Sequence, residues 1–125
     1  MNQYSIRDLT QEFGITSRTI RHYEDIGLLS PARKGQSRVY SPADRTRLKL
    51  ILRGKRLGLS LDEAREIIDM YDPDRGNQDQ LKRLIAAIRG RREKLLEQRR
   101  ELELMLKQLD EVEAGCLQSL HRLDT

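Results

Sequence analysis

A long heptad repeat in the second half of the chain is the feature that most restricts how this sequence can fold. Counting Leu81 as position a, only Arg91 and Gln98 interrupt an apolar seam that runs to Val112. The apolar members of this seam are Leu81, Leu84, Ile88, Leu95, Leu102, Met105, Leu109 and Val112. A helix of this kind cannot bury its seam against a small domain of its own chain. We therefore expect a second copy of the chain to cover it.

The net positive charge of the chain lies in its first half. Residues 1–60 carry 12 Lys or Arg against 5 Asp or Glu, whereas residues 61–125 carry 12 against 15. This asymmetry is typical of a nucleic-acid-binding domain joined to a neutral or acidic module. The 4% aromatic and 35% charged content, with no Trp, favours a mostly helical protein.

Four segments begin with the same helix-capping pattern, in which a small polar residue precedes an acid or amide by three positions. The pairs are Ser5 with Asp8, Ser41 with Asp44, Ser60 with Glu63, and Asn77 with Gln80. Glycines 14, 27, 58 and 76 border the apolar stretches where a left-handed residue would end a helix. The predicted helices are 5–13, 17–25, 42–57, 61–71 and 77–113.

The segment between the second and third helices differs in composition. From Leu28 to Tyr40 it contains Pro31 and a polar cluster around Gly35, with short flanks that can extend. This pattern predicts two short strands joined by a turn at Gly35, which form a β-hairpin.

The first two helices carry the pattern of a helix-turn-helix. Leu9 and Phe13 lie on one face of the first helix, and Ile20 and Tyr23 on one face of the second. Gly14 permits the tight turn between them.

The other face of the second helix supplies candidate DNA contacts, namely Ser17, Arg18, Arg21 and His22. Arginine can pair with guanine in the major groove, and Ser or His can reach phosphates or base edges. Tyr23 can direct its hydroxyl at a phosphate while its ring lies in the core. Isolated surface arginines commonly have no partner. The position of Arg18 and Arg21 on a short helix just after a glycine turn favours DNA contact.

Two further basic clusters accompany this helix. The hairpin carries Arg33, Lys34, Arg38 and Tyr40, which suits contact with a phosphate backbone or minor groove, although an ordinary basic loop has the same composition. Another cluster, Arg53, Lys55 and Arg56, ends the third helix. Cations there also stabilise the negative end of the helix dipole, and we expect Lys55 or Arg56 to bind a phosphate.

Several stretches resemble the MerR family of bacterial transcription regulators. They are YSIRDL at 4–9, TSRTIRHYEDIGLL at 16–29, SRVY at 37–40 and RLGLSLDE at 56–63. The resemblance covers roughly residues 3–71. It implies a winged helix-turn-helix over 1–71, a linker over 72–76, an antiparallel coiled-coil dimerisation helix over 77–113 and a tail over 114–125.

By this resemblance the chain is a homodimer that binds a pseudo-palindromic promoter site in double-stranded DNA. Members of the family distort an overlong promoter spacer on receiving a signal, so that RNA polymerase can use both promoter elements. The DNA contacts that the resemblance and the basic faces together indicate are Ser5, Arg7, Thr16, Ser17, Arg18, Arg21, His22, Tyr23, Arg38, Tyr40, Lys55 and Arg56.

The second half departs from the metal-sensing members, which carry several cysteines there. This chain has only Cys116, and with His121 it would supply two ligands where three or four are usual. We expect no metal and no cofactor. Residues 70–115 are most similar to short members that control catabolic operons, including those for leucine and isovalerate use. We expect no separate ligand-binding domain. The resemblance favours a catabolic metabolite as the class of effector, and the sequence does not identify which one.

Two other functions are open to such a chain. A coiled-coil adaptor could bind an acidic protein through its basic half, although an adaptor needs no wing. An enzyme is excluded by the lack of paired catalytic groups and of a phosphate-binding glycine loop. The N-terminus has no apolar signal core and the chain has no run of about 18 apolar residues, so we expect a cytoplasmic protein that does not enter a membrane.

Overall fold

The computed structural model describes residues 3–124. In chain order its elements are α1 (Ile6–Phe13), α2 (Ser17–Asp25), β1 (Ala32–Lys34), β2 (Ser37–Val39), α3 (Pro42–Leu57), α4 (Leu61–Asp69) and α5 (Gln78–Asp124). The two strands pair antiparallel as one hairpin. The predicted all-α class with a small hairpin is confirmed.

Capping boxes begin α1, α3 and α4, as the sequence predicts. At α3, Asp44 N donates to Ser41 Oγ at 3.1 Å, and Ser41 N donates to Asp44 Oδ2 at 2.9 Å. These reciprocal bonds satisfy donors that the first turn of a helix leaves unpaired. Gly14 and Gly58 end α1 and α3 with φ of 65° and 75°, in the left-handed region that glycine adopts without strain.

The start of α5 differs from the predicted fourth capping box. Asn77 has a φ of 56°, and its side chain turns back to the preceding loop, where Oδ1 accepts from Asp72 N at 2.9 Å. Gln80 is buried and donates Nε2 to Ile67 O at 3.0 Å. The prediction is wrong here because both side chains bond to the loop and to α4 instead of to the first turn of α5.

The core lies among the first four helices and the base of the hairpin. Its buried apolar side chains are Leu9, Ile20, Tyr23, Leu28, Leu29, Tyr40, Leu48, Ile51, Ala64 and Ile68. Burying each large side chain stabilises the fold by about 1.5–3 kcal/mol. Gly54 of α3 faces α4, where a Cβ on it would make an ordinary van der Waals contact with Ala64 Cβ at 3.5 Å.

Helix α5 continues to Asp124, well past the predicted end at residue 113. The segment 114–125, predicted as a tail, is therefore helical as far as the structure describes it. No proline follows Val112, and the one glycine there, Gly115, costs only about 1 kcal/mol in a helix. The predicted end at residue 113 is wrong because apolar positions recur beyond it, at Cys116 and Leu123, and no residue there stops the helix.

The structure divides into two compact units, one ending at Ile88 and the other beginning at Arg89. We call these the front unit and, from Arg89 to Asp124, the distal helix. The front unit contains α1–α4, the hairpin and the first turns of α5. Within residues 3–124, no helix is both long and apolar enough to cross a membrane.

Candidate nucleic-acid interface

Helix α2 presents three of the predicted DNA contacts on its solvent face. Ile20 and Tyr23 are buried, so Arg18, Arg21 and His22 remain exposed on the other side. None of these three forms an ion pair with another described residue. This is the arrangement that a recognition helix needs, because exposed polar and basic side chains without ion-pair partners are available to bases and phosphates.

Other predicted contacts lie at helix starts and have local roles. Ser5 Oγ accepts from Asp8 N at 3.0 Å, and Thr16 Oγ1 accepts from Thr19 N at 3.1 Å. The Ser5 hydroxyl keeps its own O–H, which can still be donated to a phosphate, whereas Thr16 Oγ1 also shares a hydrogen bond with Thr19 Oγ1 at 3.0 Å. Arg7 is exposed in the first turn of α1, and Ser17 is partly buried at the start of α2. Contact of these four residues with DNA stays a prediction.

The hairpin turns at Gly35, whose φ is 66°. Its register places Arg33 opposite Arg38 and Lys34 opposite Ser37. Directly opposed residues of an antiparallel pair share one face, where like charges repel. A counter-charge beside Arg38 would relieve this repulsion.

Glu24 of α2 supplies that counter-charge and joins the hairpin to α2. Arg38 Nε donates to Glu24 Oε1 at 3.0 Å and Oε2 at 2.8 Å, and Tyr40 Oη donates to Glu24 Oε1 at 2.7 Å. The side chain of Glu24 is only 11% exposed. Burial, and next the hydrogen bond to Glu24, raise the pKa of the Tyr40 hydroxyl, so it is a neutral donor at physiological pH.

These contacts limit what Arg38 and Tyr40 can offer to DNA. Tyr40 has no exposed surface and its hydroxyl is bonded to Glu24, so the predicted Tyr40 contact is corrected to a supporting role. Arg38 uses Nε for Glu24, which leaves its two terminal nitrogens for a phosphate. Sequence analysis missed Glu24 because its partners are 14 and 16 residues away and no local pattern indicates the pairing.

Helix α4 also contacts the end of α2. Arg65 Nη2 donates to Ile26 O, a carbonyl at the end of α2 that has no partner within the helix. The basic cluster at the end of α3 lies on the surface, where Lys55 and Arg56 are both exposed just before Gly58. Their phosphate contacts stay predictions.

The residues of the predicted dimer seam differ in exposure along its length. Leu84 and Ile88 are partly buried within the front unit, where Leu84 lines a small cavity with Leu50 and Ile67. Leu81 is 53% exposed. In the distal helix the seam residues are 47–65% exposed, and these are Leu95, Leu102, Met105, Leu109 and Val112.

Two family models match this chain. One, described as MerR HTH family regulatory protein, matches residues 4–71, which contain α1–α4 and the hairpin. The other, described as MerR, DNA binding, matches residues 45–112. The chain belongs to the MerR family. It is a DNA-binding transcriptional regulator of that family and not an enzyme.

Relatives of this MerR regulator include HmrR, an HTH-type transcriptional regulator of Rhizobium leguminosarum bv. viciae. The two are 39% identical over 77 residues, which are 60% of each chain. The transcriptional activator mta of Bacillus subtilis is 31% identical over 86% of this chain, which spans only 39% of mta. The chain thus spans less than two thirds of the length of either relative.

Solved structures agree with this assignment. The N-terminal part of the Bacillus subtilis multidrug transporter activator, MtaN, matches with a TM-score of 0.67 and 31% identity, over 87% of this chain and 96% of that one. HiNmlR, described as a MerR family regulator lacking the sensor domain and bound to promoter DNA, matches with a TM-score of 0.59. It is 21% identical, over 82% of this chain and 80% of that one, and so shows the shared fold.

The lone cysteine of this MerR regulator, Cys116, is exposed on the distal helix. Across residues 3–124 there is no group of three or more His, Cys, Asp or Glu side chains placed to hold a metal ion.

Proposed function

We propose that this regulator acts as a homodimer on a pseudo-palindromic promoter site, paired through its distal helix. The observation that carries the proposal is the uncovered apolar seam. Every residue from Arg92 to Asp124 is exposed in the single chain, including five large seam residues. An apolar surface of this length indicates an interface. The seam also continues beyond Val112, with Cys116 and Leu123 at the next two a positions.

Charge along the distal helix supports antiparallel pairing. Residues 89–100 carry six Lys or Arg and two Glu, whereas residues 101–113 carry one Lys and five Asp or Glu. An antiparallel pair sets the basic half of each helix beside the acidic half of its partner. A parallel pair would set like charges together. Single exposed ion pairs contribute little, but charges that flank a coiled-coil seam select its orientation.

A dimer would carry two recognition helices related by two-fold symmetry, which matches a DNA site with two similar half-sites. Arg18 and Arg21 would read base edges, while Arg38, Lys55 and Arg56 would bind phosphates. In the proposed cycle, a signal makes the bound dimer bend and untwist an overlong promoter spacer so that RNA polymerase can engage it. Deformation of this size costs a few kcal/mol, which a dimeric interface can supply.

The proposed signal is a small molecule, with a catabolic metabolite as the candidate class. Because the target is bacterial promoter DNA, we place the regulator in the cytoplasm. HiNmlR shares this fold and its structure contains promoter DNA, which supports the proposal that the front unit docks on DNA.

Footprinting on the DNA that flanks the regulator's own gene tests this function. The purified chain is added with and without the metabolites of the neighbouring operon. We expect a protected dyad inside an overlong promoter spacer, further distorted by one metabolite. Specific binding should fall steeply with salt, because Lys and Arg displace counterions from phosphates. Absence of a protected dyad at low salt would contradict the proposal and favour the adaptor function.

A further inference from the structure

An open cleft of about 460 Å³ lies in the front unit between α2, the last two turns of α3 and the start of α4. Tyr23, Ile51 and Ala64 line it and are 3–8% exposed, so they form its floor. Leu59 and the half-exposed Leu61 add apolar surface nearer the mouth. The volume lies within the range of small-molecule sites, which are mainly apolar with a few polar groups.

The mouth of the cleft is positively charged. Arg18 and His22 of α2 and Lys55 of α3 line it and are exposed. No carboxylate is among the lining residues, and none of the three forms an ion pair within the described part of the chain. Two permanent cations beside a low-dielectric apolar wall attract and hold an anionic group.

Contact with DNA does not account for the apolar part of this cleft. A phosphate backbone complements Arg18 and Lys55 but brings little apolar surface to cover Leu59 and Leu61. Leu61 is the first residue of α4 and is 50% exposed, a position where polar residues are easily accommodated. An apolar wall combined with a cationic mouth fits a ligand that has both an apolar body and an anionic group.

We propose that the cleft binds a small amphiphilic carboxylate. Its ring or chain packs on Tyr23, Ile51 and Leu61, and its carboxylate lies between Arg18 and Lys55. Bound ligand occupies cations that DNA also needs, so ligand and operator compete for the front unit. The competition between ligand and operator rests on the proposed function, whereas binding of the carboxylate to the cleft does not.

The test uses 1-naphthylacetate and its neutral isostere 1-naphthylacetamide, titrated into the full chain by calorimetry without DNA. We expect the acid to bind more tightly than the amide. Lys55→Gln should raise the Kd of the acid about two- to fivefold, as for an exposed ion pair, and leave that of the amide unchanged. Lys49→Gln removes an exposed cation of α3 that does not line the cleft, and should change neither.

A second variant shows where the probe binds. Leu61→Ser removes apolar surface from the wall and should weaken acid and amide alike, while circular dichroism confirms that the variant is folded. The proposal is overturned if neither probe binds, if acid and amide bind equally, or if Lys55→Gln has no effect. Probe affinity unchanged by Leu61→Ser would place the probe elsewhere, for example on the exposed seam of the distal helix, and would also overturn it.

Competition is measured separately, by titrating the operator with and without the acid. The acid should raise the operator Kd of the wild-type chain. An operator Kd that does not change would overturn the competition. A chain that binds the acid but binds no operator under any condition would remove the proposed function and leave the ligand site intact.

Discussion

The front unit and the distal helix use apolar residues in opposite ways. In the front unit, Leu9, Ile20 and Leu48 are fully buried within one chain. In the distal helix, large apolar residues such as Leu102 and Leu109 are 59–61% exposed. Both regions are helical, so secondary structure alone does not distinguish them.

The difference shows that the two regions obtain their stability from different sources. The front unit folds back on itself because short helices and turns let its apolar faces meet. The distal helix is one continuous element and cannot fold back on itself, so in the proposed dimer its apolar face would be buried by the partner chain. Helices gain most of their stability from packing, so the proposal makes the stability of the distal helix depend on dimerisation.

The largest expected effect comes from placing a charge in the seam. Leu102→Glu should raise the dimer dissociation constant by about 100-fold or more, because two carboxylates would be buried without partners. Sedimentation velocity measures this change. All four tyrosines lie in the front unit, so near-ultraviolet circular dichroism should show that unit still folded.

Lys107→Gln is the matched control, since it changes the charge by the same amount at an outer heptad position. It should remain dimeric. If Leu102→Glu also stayed dimeric, the seam would not be the interface and the comparison between the two regions would fail.

The next effect concerns DNA recognition by the front unit. Arg21→Ala should weaken specific operator binding about 10- to 100-fold, the range for loss of a bidentate base contact, with little change in thermal stability. Fluorescence anisotropy with operator and scrambled duplexes measures it. Arg75→Ala, which removes an exposed cation of the loop before α5, serves as the control. Equal affinity of wild type and Arg21→Ala would show that α2 docks differently.

A smaller effect is expected at Glu24, which joins α2 to Arg38 and Tyr40 of the hairpin region. Glu24→Gln should lower the free energy of unfolding by about 1–3 kcal/mol, because Arg38 and Tyr40 lose a charged acceptor in a poorly hydrated site. Urea denaturation measures it. Glu66→Gln breaks the exposed contact with Arg83, which has similar bond lengths, and should have much less effect. If Glu24→Gln and Glu66→Gln lowered the free energy of unfolding equally, burial would not strengthen the contact of Glu24 with Arg38 and Tyr40.

The pH dependence of stability should reveal the buried hydroxyl. The pKa of Tyr40 is raised in the folded chain, so its contribution is fully present below the unfolded pKa of about 10 and is lost as pH rises above it. Tyr40→Phe should be less stable than wild type at pH 8, and this difference should shrink above pH 10. Urea denaturation from pH 8 to 11 tests it. If the stability of wild type and of Tyr40→Phe changed with pH in parallel, the raised pKa of Tyr40 would be contradicted.

The last prediction is that oxidation leaves the distal helix unchanged, without a disulfide between the Cys116 side chains of two chains. Cys116 continues the seam at an a position, so a parallel in-register dimer would bring two Cys116 side chains together. Antiparallel pairing separates them beyond the reach of a disulfide. Mild oxidation followed by a non-reducing gel should give monomers, as for Cys116→Ser. Efficient disulfide formation would show that the helices pair in parallel.

Much of the fold follows from local signals in the sequence. The serine capping boxes at Ser5, Ser41 and Ser60, and the glycine stops at Gly14 and Gly58, act over three or four residues, and the structure has each of them. The same reasoning was wrong at Asn77 and Gln80, where side chains of the right type bond elsewhere. Local rules therefore predict helix boundaries only where no distant group competes.

The sequence by itself determined the helix order, the exposed basic face of α2 around Arg21 and the uncovered seam, because periodicity and charge are properties of neighbouring residues. Only the tertiary structure decided that Glu24 would bind Arg38 and Tyr40, and that α2, α3 and α4 would enclose a cleft. These features join residues that are far apart in the chain. Their energies depend on burial and distance, and neither exists until the core has packed.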